Sequence, residues 1–292
     1  MSYAGAPQRL IRLAYSVDAD DAFMFHALRE QRIDTGGLEL EHRRADTAQL
    51  NALAAEEGAD VVAISAGAYP AVAGRYLLLP HGASVGRGFG PVVVTRPGER
   101  LRPADLRRRR VGIPGLSTTA WLVLRMIEPE AVPVVVPIAP FSRAFETLDR
   151  GEVDAALLIH EGRLLYEARG YQKVVDVGQW WEAETGLPLP LGVNVIRRGL
   201  GPALVAQVSA LLREAIDWAL AHRQEVIAAI AGEDRGEAAL AETALLDRYL
   251  GMYANEDTRG MAPDVRRAIE VLFTRARTAG LLPAAVEVAG AP

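Results

Sequence analysis

Short apolar runs alternate with amphipathic stretches along the first two thirds of the chain. Residues 10–15 (LIRLAY), 60–64 (DVVAI), 91–95 (PVVVT), 110–113 (RVGI), 132–136 (VPVVV) and 155–159 (AALLI) are compact and rich in aliphatic side chains. Runs of that kind read as strands buried on both faces, and intervening stretches such as 21–29 carry a helical pattern. Strands covered on both faces by helices make an α/β protein. Beyond residue 196 the pattern changes. Residues 202–221, 225–231, 237–250 and 263–279 are Ala/Leu-rich with a period near 3.6, so the last third is expected to be mainly helical.

Two places read as crossings between lobes. In 95–102 (TRPGERLR) Pro97 and Gly98 follow a strand, and in 187–198 (LPLPLGVNVIRR) two prolines precede another. A chain that leaves one α/β lobe, builds a second and returns by an extended segment encloses a cleft. The expectation is a first lobe of residues 1–96 and 195–292, an inserted α/β lobe of 103–190, and hinge crossovers at 97–102 and 191–194.

Composition narrows the function classes. Half of the 292 residues are hydrophobic and 24% are charged, the balance of a folded globular protein and not of a disordered chain. The 32 basic and 37 acidic residues leave a net charge of -5, which offers no attraction to a phosphate backbone, so no nucleic-acid partner is expected. The arginine run 107–110 reads as a solvated corner between helix and strand. The absence of cysteine removes disulfides, thiolate metal ligands and a Cys nucleophile. No stretch approaches the roughly 20 apolar residues of a membrane span. The first residues lack the basic and apolar regions of a secretory signal, so a cytoplasmic chain without a membrane partner is expected.

In open α/β sheets ligands bind beyond the carboxyl ends of strands, against helix N-termini. Four strand ends carry polar residues there: 16–21 (SVDADD), 65–69 (SAGAY), 115–119 (GLSTT) and 160–163 (HEGR). Ser117, Thr118 and Thr119 after a glycine turn are either a plain N-cap or a small anion cradle. Ser65 ends a buried strand with a hydroxyl and reads the same two ways. His160 emerges from a buried run beside Glu161 and Arg163, where a neutral imidazole could take a proton. The stretch 82–90 (GASVGRGFG) precedes a strand, so it fails as a dinucleotide fingerprint and reads as a turn with Arg87 available to an anion. No P-loop lysine, no G-x-S-x-G elbow and no metal-ligand spacing is present, which leaves a cofactor-free acid–base site.

The blocks AALLIHEGRLLY (155–166) and DVGQWWEAETGLPLPLGVNVIRR (176–198) resemble the menaquinone-biosynthesis enzymes named 1,4-dihydroxy-6-naphthoate synthase, of the futalosine route. VGRGFGPVVVTR, IPGLSTTA and the Tyr253-Ala-Asn255 triplet follow that family's pattern in the same order. The resemblance implies a two-lobed type II periplasmic-binding-protein-like fold with a central cleft and two crossover strands. It also implies a lyase that breaks cyclic dehypoxanthinyl futalosine into the dihydroxynaphthoate and a sugar-derived fragment, with neither metal nor organic cofactor. His160 is then the general base, and Ser65, Thr118 and Thr119 hold the substrate carboxylate. Ser16, Asp21, Arg87, Ser117, Arg163 and Asn194 complete the expected substrate site.

One loop departs from the family pattern. Where that pattern reads S-x-C-P-N-D-T-F, residues 16–23 read SVDADDAF, which puts Asp18 at the Cys position and Asp20 at the Asn position. The added acidic groups are expected to repel an anion. That departure keeps two alternatives open: a paralogous enzyme on another carboxylated substrate, such as a chorismate dehydratase, and a non-catalytic binding protein on a ligand-carrier fold. The helical C-terminal third offers a surface for a homodimer, with no interface legible in the pattern.

Overall fold

The computed structural model describes residues 9–138, 140–233, 241–283 and 285–292. The chain opens with β1 (Arg9–Ser16), α1 (Ala19–Met24), α2 (His26–Arg29), β2 (Leu38–Ala45), α3 (Thr47–Ala55), β3 (Val61–Ser65), α4 (Tyr69–Val72), β4 (Tyr76–Leu78) and β5 (Ser84–Gly86). Then come β6 (Val92–Thr95), β7 (Arg110–Ile113), α5 (Thr119–Ile127), β8 (Val132–Val135), α6 (Ser142–Asp149), β9 (Ala155–Leu158), α7 (Gly162–Leu165), β10 (Gln172–Asp176) and α8 (Val177–Thr185). The last part is β11 (Leu189–Arg197) followed by α9 (Pro202–Ala221), α10 (Arg223–Ala231), α11 (Thr243–Tyr253), α12 (Glu256–Arg259) and α13 (Pro263–Thr278). The α/β expectation and the helical last third both hold; residues 234–240, where one expected helix begins in part, lie outside the described residues.

Two sheets form. The first has the order β2-β1-β3-β11-β4, with β5 also on β11, and the second β10-β6-β9-β7-β8. β1 pairs parallel with β2 and β3, whereas β11 returns antiparallel to β3. The β3 run is buried along its whole length, as a strand covered on both faces must be. β2 was not legible as a strand, because at the sheet edge its alternate residues are polar and half-exposed.

The chain changes sheet earlier than the turn signals suggested. β6 pairs antiparallel with β9 and β10, so residues 92–95 belong with the second sheet and not with the first lobe. The first crossing is therefore the 87–91 segment between β5 and β6. Pro97 and Gly98 make only a local turn, with the Glu99 amide donating to the Arg96 carbonyl at 3.1 Å. The return lies between α8 and β11, since β11 runs through 191–194 as one first-sheet strand. The arginine run 107–110 is a solvated corner whose Arg107 and Arg108 face Glu130 and whose Arg110 faces Asp154.

The first crossing is pressed against the start of α8. A Cβ on Gly178 would lie 2.1 Å from the Phe89 carbonyl oxygen, and one on Gly90 would lie 2.7 Å from the Gly178 amide nitrogen. Beside them Trp181 is fully buried, its indole N–H donating to the Pro188 carbonyl at 3.0 Å. Backbone cannot yield as a side-chain tip can. Gly178→Ala is expected to destabilise the fold by about 1–3 kcal/mol, seen as a lower denaturant midpoint at unchanged slope.

Candidate active site

A cavity opens where the strand ends of both sheets converge. Its volume is about 90 Å³, several times what one water needs. Ser16, Asp21, Ser65, Thr118, Thr119, His160, Arg163 and Asn194 all line it, together with apolar Leu50, Pro91, Ile159, Leu191 and Val193. Asp18 and Asp20 of the 16–21 loop line it as well, and so do Thr47, Ser84, Tyr249 and Tyr253, polar residues outside the expected substrate site.

His160 stands two residues past β9, at a backbone φ of 49° that non-glycine residues seldom adopt. Its Nδ1 lies 2.8 Å from Asp18 Oδ2 and its Nε2 3.0 Å from the Thr47 hydroxyl. Thr47 opens α3, set by the capping box in which Asp46 and Gln49 satisfy each other's backbone amides. Asp18 caps α1, its Oδ1 accepting from the Asp21 amide at 3.1 Å. The imidazole is not neutral as expected. Burial works against its charged form, but the Asp18 carboxylate outweighs burial and pushes the His160 pKa up to about 10. Reciprocally, burial would raise Asp18, yet the His160 charge holds its carboxyl well below the usual range.

Asp20 accepts from Ser84 Oγ at 2.5 Å and from the Tyr249 hydroxyl at 2.8 Å. Burial first, and then the charges of Asp18 and Asp21, hold it well above the usual carboxylate range. The same causes, burial and Asp18, carry Asp21 up to about 7, while its Oδ2 accepts from the Ser16 amide at 2.6 Å. The expected repulsion of anions by this loop is therefore quenched, because one carboxylate is paired with an imidazolium and another is kept as the acid. A neutral Asp20 has one donor and one acceptor face, as asparagine has. Asp18, Asp20 and His160 bring three ligand-type atoms within 4.8 Å of one another, but the ion pair and the hydrogen bonds just described satisfy them internally.

The hydroxyl wall is built across both sheets. Asn51 on α3 donates to Ser65 Oγ at 3.3 Å and to Ser117 Oγ at 3.0 Å, and its oxygen accepts from the Ser65 amide at 2.9 Å. Thr118 is the N-cap of α5, its Oγ accepting from the Trp121 amide at 3.3 Å. Thr119 Oγ donates to the Leu191 carbonyl at 2.7 Å and accepts from the Gly67 amide at 2.9 Å, so it ties α5 to the first sheet. Ser117 is exposed and does not line the cavity, contrary to expectation, because the turn before α5 points it outward toward Asn51.

Arg163, on α7, donates to Asp176 at 2.8 Å and lies over the Phe89 ring with 5.7 Å to its centroid. Among the described residues its buried Nε meets no acceptor, and the buried Oδ1 of Asn194 meets no donor. Arg87 is the clear miss. Its guanidinium is taken up by Asp257 and Asp264, both at 2.7 Å, on the far side of β5, so it anchors α12 and α13 and leaves nothing for a ligand. The signal that could have found Thr47 was the D-T-A-Q capping box of residues 46–49, a pattern common enough in proteins to carry no chemistry by itself.

Residues 11–278 match a family model described as menaquinone biosynthesis. The chain is 37% identical to the 1,4-dihydroxy-6-naphtoate synthase of Streptomyces coelicolor, over 94% of this chain and 95% of that protein. It is 35% identical to the Thermus thermophilus protein of the same name, over 93% and 95%. A crystal structure of an Archaeoglobus fulgidus protein superposes with a TM-score of 0.85 at 38% identity, covering 95% of this chain and 100% of that one. The alkanesulfonate-binding protein of Xanthomonas axonopodis pv. citri shares the fold alone, with a TM-score of 0.72 at 17% identity over 97% and 98% of the two chains. Among the described residues no helix is long and apolar enough to cross a membrane.

Proposed function

The chain belongs to the menaquinone-biosynthesis family and is an enzyme of that pathway, and from this premise we propose that it forms 1,4-dihydroxy-6-naphthoate from cyclic dehypoxanthinyl futalosine with His160 as general base. The observation that carries the reading is the position of the ring. Among the described residues His160 Nε2 hydrogen-bonds the Thr47 hydroxyl, beside a cavity lined also by apolar side chains and by the hydroxyl residues Ser65, Thr118 and Thr119. A flat aromatic acid fits such a space, its rings against Leu50, Ile159, Leu191 and Val193 and its carboxylate toward polar groups.

The carboxylate's place is beside Arg163, Thr118 and Ser65. Arg163 supplies the charge, and its unpartnered Nε is a donor in want of an acceptor. Nε2, once free of its own proton, takes a hydroxyl proton of the sugar-derived part. That oxygen becomes a carbonyl as the carbon–carbon bond to the ring system breaks, and the bond's electron pair passes into the ring, whose oxygen is protonated as the aromatic naphthoate forms. The quenched acidic loop is compatible with this substrate, because it no longer opposes an anion.

Purified protein is expected to convert cyclic dehypoxanthinyl futalosine to the naphthoate and to leave chorismate unchanged, with both followed by absorbance and chromatography. Arg163→Lys keeps the positive charge beside Asp176 but loses the planar fork. It is expected to raise KM about tenfold or more with a smaller effect on kcat, as for a group binding substrate and transition state alike. Conversion of chorismate in place of the futalosine derivative would move the enzyme to a neighbouring reaction.

A further inference from the structure

We propose that Asp18 is the positioning residue of His160: its carboxylate holds the ring by Nδ1–H and turns Nε2 toward Thr47 and the cavity, so that the base of this enzyme is an Asp–His pair. The proposal rests on His160 being the base. Asp18 has the geometry for it, because its two oxygens do separate work. Oδ1 accepts from the Asp21 amide at 3.1 Å and locks the carboxylate to the start of α1, while Oδ2 faces His160 Nδ1 at 2.8 Å. The carboxylate is 1% exposed, so water does not compete for that contact. His160 itself sits at a positive φ on the short link between β9 and α7. A fixed acceptor on Nδ1 selects the tautomer whose Nε2 carries the lone pair.

The surroundings concentrate this effect on Asp18. The charged and titratable groups facing His160 are Asp18, Asp20 and Asp21 at the start of α1, the adjacent Glu161, Arg163 from α7 and Tyr249 from α11. Glu161 is turned to the Ala19 amide, at 3.0 Å, and Arg163 to Asp176. Asp20 is bound by Ser84 and Tyr249. Asp18 holds the ring at 2.8 Å, and it occupies the position where the family pattern described above carries a cysteine, which has no ionised oxygen to offer an imidazole. A carboxylate there stabilises the imidazolium that forms when Nε2 takes the proton, and it raises the pH at which that nitrogen becomes free.

The test is the pH profile of kcat/KM for the futalosine derivative, in the full-length enzyme and in Asp18→Asn. Asparagine keeps the helix cap and the size of the side chain while removing the charge. In the unsubstituted enzyme kcat/KM is expected to rise through neutral pH with its base limb at least one unit above the free-imidazole value of about 6.5. In Asp18→Asn the limb is expected to fall by at least one unit and the plateau rate by about 10²–10⁴-fold, with KM little changed. An unchanged limb in Asp18→Asn, with the plateau kept, would reduce Asp18 to a helix cap and overturn the proposal. A direct titration of the His160 ring by ¹⁵N NMR in the unsubstituted protein serves even where the variant does not fold: a value near 6.5, or a proton on Nε2 in the neutral ring, also overturns it. Full turnover in a His160→Asn variant would instead remove the base itself, an outcome separate from either result on Asp18.

Discussion

Exchange of His160 for asparagine is expected to lower turnover of the futalosine derivative by about 10²–10⁴-fold, the range for loss of a general base, while the protein still folds and binds ligand. Asparagine is the suitable replacement because it tolerates the positive φ at this position, which alanine would strain. The new amide can still meet Asp18 or Thr47, so the cavity keeps its wall, but it cannot accept a proton at any working pH. Ligand binding in the variant separates the two roles. A melting-temperature rise with substrate that matches the unsubstituted protein, together with lost turnover, places the effect on chemistry. Loss of both would place His160 among the binding groups.

The second large effect concerns stability. Breaking the buried pair by replacing only one partner, His160→Ala or Asp18→Ala, is expected to cost about 3–5 kcal/mol, because the remaining charge stays in a dry site without a counterpart. The double variant Asp18→Ala/His160→Ala is expected to lose less than the two single losses combined, a coupling that a double-mutant cycle in denaturant would measure. The pH dependence has a definite sign. His160 is raised from 6.5 to about 10 by the fold, so its contribution is complete below about 6.5 and is lost as pH rises through 10. Asp18 is depressed from 3.8, so its contribution is present above that value and is lost as pH falls below it. Asp21 acts the other way. Raised from 3.8 to about 7, chiefly by burial, it weakens the fold as pH climbs between those values. Thermal unfolding scanned from pH 3 to 10 is therefore expected to be highest between about 4 and 6.5. A maximum above pH 8 would contradict the pairing.

The loop 16–23 shows how differently one stretch of residues reads alone and in place. As a string, SVDADDAF is a gain of acidic groups, and net repulsion of an anion follows from counting them. In the fold the charges do not act as a count. Asp18 meets the imidazole of a residue 142 positions away, the same separation that the Ala19–Glu161 hydrogen bond spans, and Asp20 is driven to its acid form by burial and the charges around it. Charge state is a property of the environment, and only long-range packing supplies that environment.

Periodicity by itself determined the strands β1, β3, β6, β7, β8 and β9 and the helices of the last third, because burial on both faces leaves a continuous apolar run that local residues display. It determined too that His160, Ser65 and Thr118 end strands or open a helix, which is where a cleft collects them. Sheet membership escaped it: β6 lies in the second sheet because its hydrogen-bond partners are β9 and β10, some 60 to 80 residues onward, and no local signal encodes a partner at that distance. The same holds for Arg87, free in appearance and held by two carboxylates from 170 or more residues away. Tertiary structure alone decided which donors remained unpaired, which carboxylates kept their protons and which nitrogen of His160 faces the cavity, since each depends on the distance between groups that the chain itself places far apart.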